Sequence, residues 1–227
     1  MIRLENLTKT YVLQGRRKTV ADNVNVTFPS RTAVALLGRN GAGKSTLLRM
    51  ISGTEEPTSG RILSSGTISW PVGFAGSFHP ELTGAQNTRF VARIYGMDTN
   101  ALINFVEEFA ELGKHFHLPF RSYSSGMKSR LAFGVSMGIP FQTYLIDEVT
   151  SVGDASFKEK SSAYLNERLK TSSAIMVSHS MGMIRKICSK AAVLEGGQLH
   201  WFDDLEEGIA VHERNMRVGR GAVPDDD

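Results

Sequence analysis

Cysteine is nearly absent: Cys188 stands alone in 227 residues, so no intrachain disulfide can form and the chain fits a reducing compartment. No apolar run reaches the roughly 18 residues that a membrane-spanning helix needs. The first residues, Met1-Ile2-Arg3-Leu4-Glu5, lack the apolar stretch of a signal peptide. Charge of one sign is not in large excess either. The 26 Lys and Arg are interspersed with 23 Asp and Glu, a net charge of +3. That balance gives no nucleic-acid surface and leaves a weak attraction to an anionic membrane face. Internal repeats and low-complexity linkers are missing as well. What remains, 41% hydrophobic and 22% charged, is ordinary globular composition over a length that suits one large domain or two lobes sharing a core. The expectation is a soluble chain, cytoplasmic or peripheral on the cytoplasmic side of a membrane.

The patterning changes three times along the chain. The first 35 residues read as strands, with Val24-Asn25-Val26-Thr27-Phe28 alternating up to the turn signal Pro29-Ser30. Residues 61–75 carry short strand-like pieces broken by Ser64-Ser65-Gly66 and Pro71. From Leu82 to Ile139 the pattern is helical: Thr88 to Tyr95, then Leu102, Phe105, Val106, Phe109 and Leu112 at helical spacing, then a helix after Ser125. Strands return at Thr143–Ile146, Ala174–Val177 and Ala191–Leu194, with a helix from Phe157 to Leu169 between the first two. Strands alternating with helices predict a largely parallel α/β sheet carrying a helical insertion. After about Asn215 the chain is rich in Arg and Gly and ends in three aspartates, the composition of a frayed tail.

Chemistry concentrates at Gly38-Arg39-Asn40-Gly41-Ala42-Gly43-Lys44-Ser45-Thr46, which spells G-x-x-x-x-G-K-S. The glycines let backbone N–H groups turn inward as a nest for phosphate oxygens. Lys44 supplies a point charge, and the Ser45 hydroxyl suits Mg²⁺. The strand-like Ala33–Leu37 precedes the loop and a helical run follows, so a helix N-terminus points at the anion. Thr143-Tyr144-Leu145-Ile146-Asp147-Glu148 is an apolar strand ending in two acids. Asp147 is placed to hold Mg²⁺, and Glu148 to orient or deprotonate an attacking water. His179, after the strand Ala174 to Ser178, suits hydrogen bonding to a γ-phosphate. Ser124-Ser125-Gly126 opens a helix; a plain serine cap or an anion site would both explain it.

In this order the motifs resemble the ATP-binding subunit of an ABC transporter, over roughly residues 1–200. The resemblance implies a P-loop NTPase core with an N-terminal antiparallel β-subdomain and an inserted helical subdomain. It divides the chain into an ATPase domain at 1–210, with core about 1–81 and 140–210 and helical subdomain about 82–139, and a flexible tail at 211–227. Tyr123 to Met127 stands where the family has its signature, Ser151-Val152-Gly153-Asp154 resembles the D-loop, His179 the switch histidine and Tyr11 the aromatic that stacks on adenine. It further implies ATP with Mg²⁺, and a head-to-tail homodimer in which Ser124 and Gly126 touch the γ-phosphate on the partner's Lys44. Integral membrane permease subunits complete the assembly, on the cytoplasmic side of the inner membrane and without nucleic acid.

Trp70-Pro71-Val72-Gly73-Phe74, Phe78-His79-Pro80-Glu81-Leu82-Thr83-Gly84 and Asp147-Glu148-Val149 through Val152-Gly153-Asp154-Ala155-Ser156-Phe157 narrow the resemblance to polysaccharide exporters, most like the capsular type. O-antigen or teichoic-acid exporters, or a soluble ABC nucleotide switch, are the alternatives. O-antigen members often add a C-terminal carbohydrate-binding domain, for which this length leaves no room. No direct contact with the glycan is expected, and His79 to Gly84 is expected either near the permease or as a local packing turn. Two departures stand out. The family's Q-loop glutamine, expected near Phe74, is missing, Gln86 lying too far along. The signature carries Ser125 and Met127 where Gly and Gln are usual.

Overall fold

The structure is a computed structural model that describes residues 1–74, 76, 78–147 and 154–218. Two long strands open the chain, β1 (Ile2–Leu13) and β2 (Arg16–Phe28), and β3 (Ala33–Leu37) runs through a loop into helix α1 (Lys44–Ile51). Strands β4 (Ser59–Ser64) and β5 (Ile68–Pro71) follow. Helices α2 (Gly84–Ile94), α3 (Thr99–Ala110) and α4 (Ser125–Gly138) come next, with 3-10 turns at Gly113–His117 and Phe120–Ser122 before the last. Then strand and helix alternate through β6 (Thr143–Asp147), α5 (Ala155–Leu169), β7 (Ser173–Val177), α6 (Met181–Ile187) and β8 (Lys190–Glu195). Strand β9 (Gln198–Phe202) and helix α7 (Leu205–Val218) complete the described chain.

These strands form two sheets, an antiparallel one of order β2-β1-β4 and a larger one of order β5-β6-β7-β3-β8-β9. In the larger sheet all pairings are parallel except β8 with β9. Its inner strands are apolar without a break because both faces are covered. Alternate residues sort to opposite sides. Ala35, Leu37, Tyr144, Ile146, Ala174, Met176, Ala191 and Val193 join the core shared with α2–α5. Val34, Leu36, Leu145, Ile175, Val177, Ala192 and Leu194 join the core under β1, β2 and α1.

Helix α2 begins at Gly84, four residues before the apolar pattern that predicts it. Thr83 and Gln86 form a capping box there, Gln86 N–H donating to Thr83 Oγ1 at 3.1 Å and Thr83 N–H to Gln86 Oε1 at 2.9 Å. Gln86 is thereby committed to a helix start. The half-buried edge strand β9 is not anticipated by the sequence reading; Gly196 and Gly197, both at positive φ, make the turn into it. The expected tail needs correction too: residues 211–218 are the second half of α7, carried by Ile209 packing against the sheet. The remaining tail, 219–227, lies outside the described residues.

Candidate nucleotide site

Three parallel neighbours, β6, β7 and β3, end at the same sheet edge, and each delivers one part of the site. Beyond β3 comes the glycine loop, at the end of β6 is Asp147, and two residues past β7 is His179. The C-terminal edge of such a sheet is where α/β folds bind ligands. A cavity of about 380 Å³ opens there, lined by Tyr11, Lys18, Val20, Asn40, Gly41, Gly43, Lys44, Ser45, Thr46, Asp147, Val177 and His179.

The loop glycines are required by contact as well as by dihedral angle. A Cβ on Gly38 would lie 2.5 Å from the Leu194 carbonyl oxygen, and one on Gly43, at φ 110°, would lie 2.8 Å from Val20 Cβ. Gly43 is also the N-cap of α1 and offers no side-chain acceptor, so the first-turn N–H groups keep their donors for an anion. Lys44 Nζ donates to the carbonyls of Gly38 at 2.7 Å and Arg39 at 3.0 Å, which hold the ammonium over the loop. Gly38, Arg39 and Ala42 do not line the cavity themselves; Ala42 N–H donates to the Arg39 carbonyl at 3.1 Å and its methyl joins the core below.

Tyr11 stands on β1 at the cavity's edge, its hydroxyl donating to Glu55 and lying 3.3 Å from Thr46 Oγ1. Glu55 also pairs with Lys9 at 3.0 Å and Arg49 at 2.9 Å. Burial pushes this carboxyl up, but the hydrogen bonds from Tyr11, Lys9 and Arg49 together outweigh it and bring the pKa to about 2. Lys18, Val20 and Val177 are wall residues that the sequence reading misses. Lys18 reaches the cavity because β2 pairs it with Tyr11, a relation that no local pattern announces. Behind the loop, His212 of α7 has Nδ1 buried without a hydrogen-bond partner among the described residues. Burial lowers the His212 pKa, the nearby Lys44 charge lowers it further, and Glu195 and Glu213 oppose the shift.

Ser124, Ser125 and Gly126 are not brought to this cavity. They sit at the start of α4, where Ser124 and Ser125 are exposed and Ser124 Oγ accepts from Met127 N–H at 3.3 Å. Asp154 caps α5, accepting from Phe157 N–H at 3.0 Å and from Arg130 of α4 at 2.8 Å. Glu148 and Ser151 to Gly153 lie outside the described residues. The segment His79–Thr83 is a packed turn around Asn87, which accepts from His79 N–H at 2.8 Å and donates to the carbonyls of His79, Leu82 and Thr83 at 3.1–3.2 Å. Among the described residues no helix is long and apolar enough to cross a membrane.

The family model described as "ABC transporter" matches residues 21–151, more than half of the chain, including the glycine loop and Asp147. The chain belongs to the ABC transporter family. It thus carries that family's nucleotide-binding ATPase cassette. The chain is 50% identical over 212 residues to the polysialic acid transport ATP-binding protein KpsT of Escherichia coli, covering 92% of this chain and 95% of that protein. It is 44% identical to the capsule polysaccharide export ATP-binding protein CtrD of Neisseria meningitidis, covering 91% and 96% respectively. The fold matches the ATP-binding cassette MJ0796, solved as a dimer with ADP and phosphate, at a TM-score of 0.75 over 90% of this chain and 99% of that one, with 22% identity.

Proposed function

We propose that this chain is the ATP-hydrolysing subunit that drives export of a capsule-type polysaccharide through a separate membrane permease. One observation carries the chemistry: Lys44, Ser45, Asp147 and His179 line a single cavity at the uncapped N-terminus of α1. The cargo assignment is supported by the similarity to KpsT and CtrD and by the Trp70-Pro71 and Phe78–Gly84 segments.

In this reading the loop N–H groups from Gly41 to Ser45 cradle the phosphates and Lys44 offers its ammonium to the β- and γ-phosphates. The Tyr11 ring stacks on the adenine. His179 hydrogen-bonds the γ-phosphate. Glu148 orients a water and takes its proton as the water oxygen bonds to the γ-phosphorus. The bond from that phosphorus to the bridging oxygen breaks, and ADP and phosphate leave. Mg²⁺ suits the donors present, a hydroxyl and a carboxylate beside phosphate oxygens. Ser45 and Asp147, the latter through water, would hold it, and its charge would offset that of the triphosphate.

The Ser124-Ser125-Gly126 turn at the start of α4, with both serines exposed, supports a head-to-tail homodimer, since one copy leaves its own signature away from its own cavity. Asp154, which caps α5, is tied to Arg130 of α4, the helix that this turn opens. Phe90 and Ile94, one helical turn apart and 56% and 59% exposed, form an apolar strip on α2. Tyr95 beside them packs on Trp70 at 5.5 Å between ring centres. This strip is the proposed permease contact, which would hold the subunit at the cytoplasmic side of the inner membrane. Steady-state ATPase of wild type and Glu148→Gln tests the assignment. Turnover is expected to fall by about three orders of magnitude or more; unchanged turnover would remove Glu148 from the reaction.

A further inference from the structure

A second cavity, of about 210 Å³, lies between α5 and α6 over Phe133 of α4 and shares no residue with the nucleotide site. Phe133, Leu165, Met183 and Ile187 give it apolar walls. Lys158 from α5 and Lys186 from α6 also line it, both exposed. Neither has an acidic partner among the described residues, whereas Lys160 on α5 and Arg185 on α6 are paired with Glu111 and Glu206. Ser161 lines the same cavity at 6% exposure, and its hydroxyl has no partner among the described residues. Two other buried hydroxyls on helices behave differently: Thr88 and Ser136 donate to the carbonyl four residues back, at 2.8 and 2.9 Å. A buried polar group without a partner costs about 1–3 kcal/mol. Ser161 is therefore an unsatisfied donor in the cavity wall, shielded until its side chain turns toward an acceptor that the protein itself does not supply.

We propose that this cavity binds a small anionic amphiphile, a carboxylate or phosphate monoester head on a short apolar body. The head sits between the two lysines and accepts from Ser161, and the body lies on Phe133, Leu165 and Met183. The volume falls below the roughly 300–1,000 Å³ of pockets for drug-sized ligands, which fits a short single chain. Helix α6 is capped by Ser180, the residue after His179. Resting on the catalytic role proposed for His179, occupancy of the cavity alters ATP turnover.

Methyl NMR of the full chain without nucleotide, titrated with decanoate, decyl phosphate or decanol, tests the site. Saturable shifts at the Met183, Ile187 and Leu165 methyls are expected with both anions, and binding of decanol about five-fold weaker or worse. Preference for decanoate or for decyl phosphate identifies the head group. Lys158→Gln with Lys186→Gln, at two exposed positions, should cost about five-fold in affinity, and Ser161→Leu should abolish binding by filling the space. No saturable shift, shifts elsewhere, or decanol binding as tightly as the anions would overturn the site. This readout needs no ATP and so fails separately from the ATPase reading. In a turnover assay decanoate should change wild-type kcat and leave the double lysine variant unaffected; an unmoved wild-type kcat would overturn the coupling to His179.

Discussion

Tyr11 has two separable attachments at the proposed ATP site, a hydroxyl tied to Glu55 and a ring on the cavity edge. Stacking of a base on an aromatic ring is worth about 1–3 kcal/mol. Tyr11→Phe is therefore expected to keep ATP affinity within about two-fold, and Tyr11→Ala to lose about ten-fold, measured by titration with a fluorescent ATP analogue. Equal losses would assign the role to the hydroxyl. Glu55 sets a pH dependence. Its pKa falls from 4.5 to about 2 on folding, so its contribution is complete above the unfolded value and disappears as pH drops through 4.5 towards 2. The linked stabilisation is about 3 kcal/mol at neutral pH. Glu55→Gln should flatten that acid limb in urea unfolding measured across the same window. Cys188 is buried and pushed up to about 12, so its thiol should resist alkylation in the native protein and react once the chain is unfolded.

At the scale of elements, α5 ties the helical insertion to the sheet through its cations. Arg168 donates to the Met137 carbonyl at 2.7 and 3.1 Å, near the C-terminal end of α4. Lys160 donates to the Phe109 carbonyl at 3.1 Å near the end of α3. Both complement the negative ends of those helices. Arg168→Ala should lower unfolding stability by about 1–3 kcal/mol in urea titration, and Arg168→Lys should recover part of it; no change would mean that apolar packing alone holds the insertion. Strands β6, β7 and β8 are legible in the sequence because burial on both faces writes them as short apolar runs. Three residues that line the cavity, Lys44, Asp147 and His179, are legible too, since they follow or end such runs in β3, β6 and β7. Lys18 is not legible, because β2 pairs it with Tyr11 and sequence distance hides that register; Val20, which the register skips, reaches the site by packing against Gly43. Asn87 is hidden for another reason: its four hydrogen bonds organise His79–Thr83, and nothing local distinguishes it from a surface residue of α2. Strand β9 had a signal, the Gly196-Gly197 turn, but its polar alternation is weaker than the runs around it.

For the whole molecule, the proposed function divides the catalytic parts between two surfaces. The cavity that gathers Tyr11, Lys44, Asp147 and His179 does not include Ser124, Ser125 or Gly126, which stand at another helix start with both serines exposed. In the proposed assembly each copy completes the other's site, and ATP bridges them as a ligand-switched contact. Activity should therefore depend on how often two copies meet. The most direct test is the ATPase rate per chain measured against protein concentration, across the range where light scattering follows monomer becoming dimer. A per-chain rate that climbs with dimer fraction, and that Ser124→Ala lowers in the dimeric range, is the predicted result. A constant rate per chain, reached by a preparation that scattering shows to be monomeric, would contradict it.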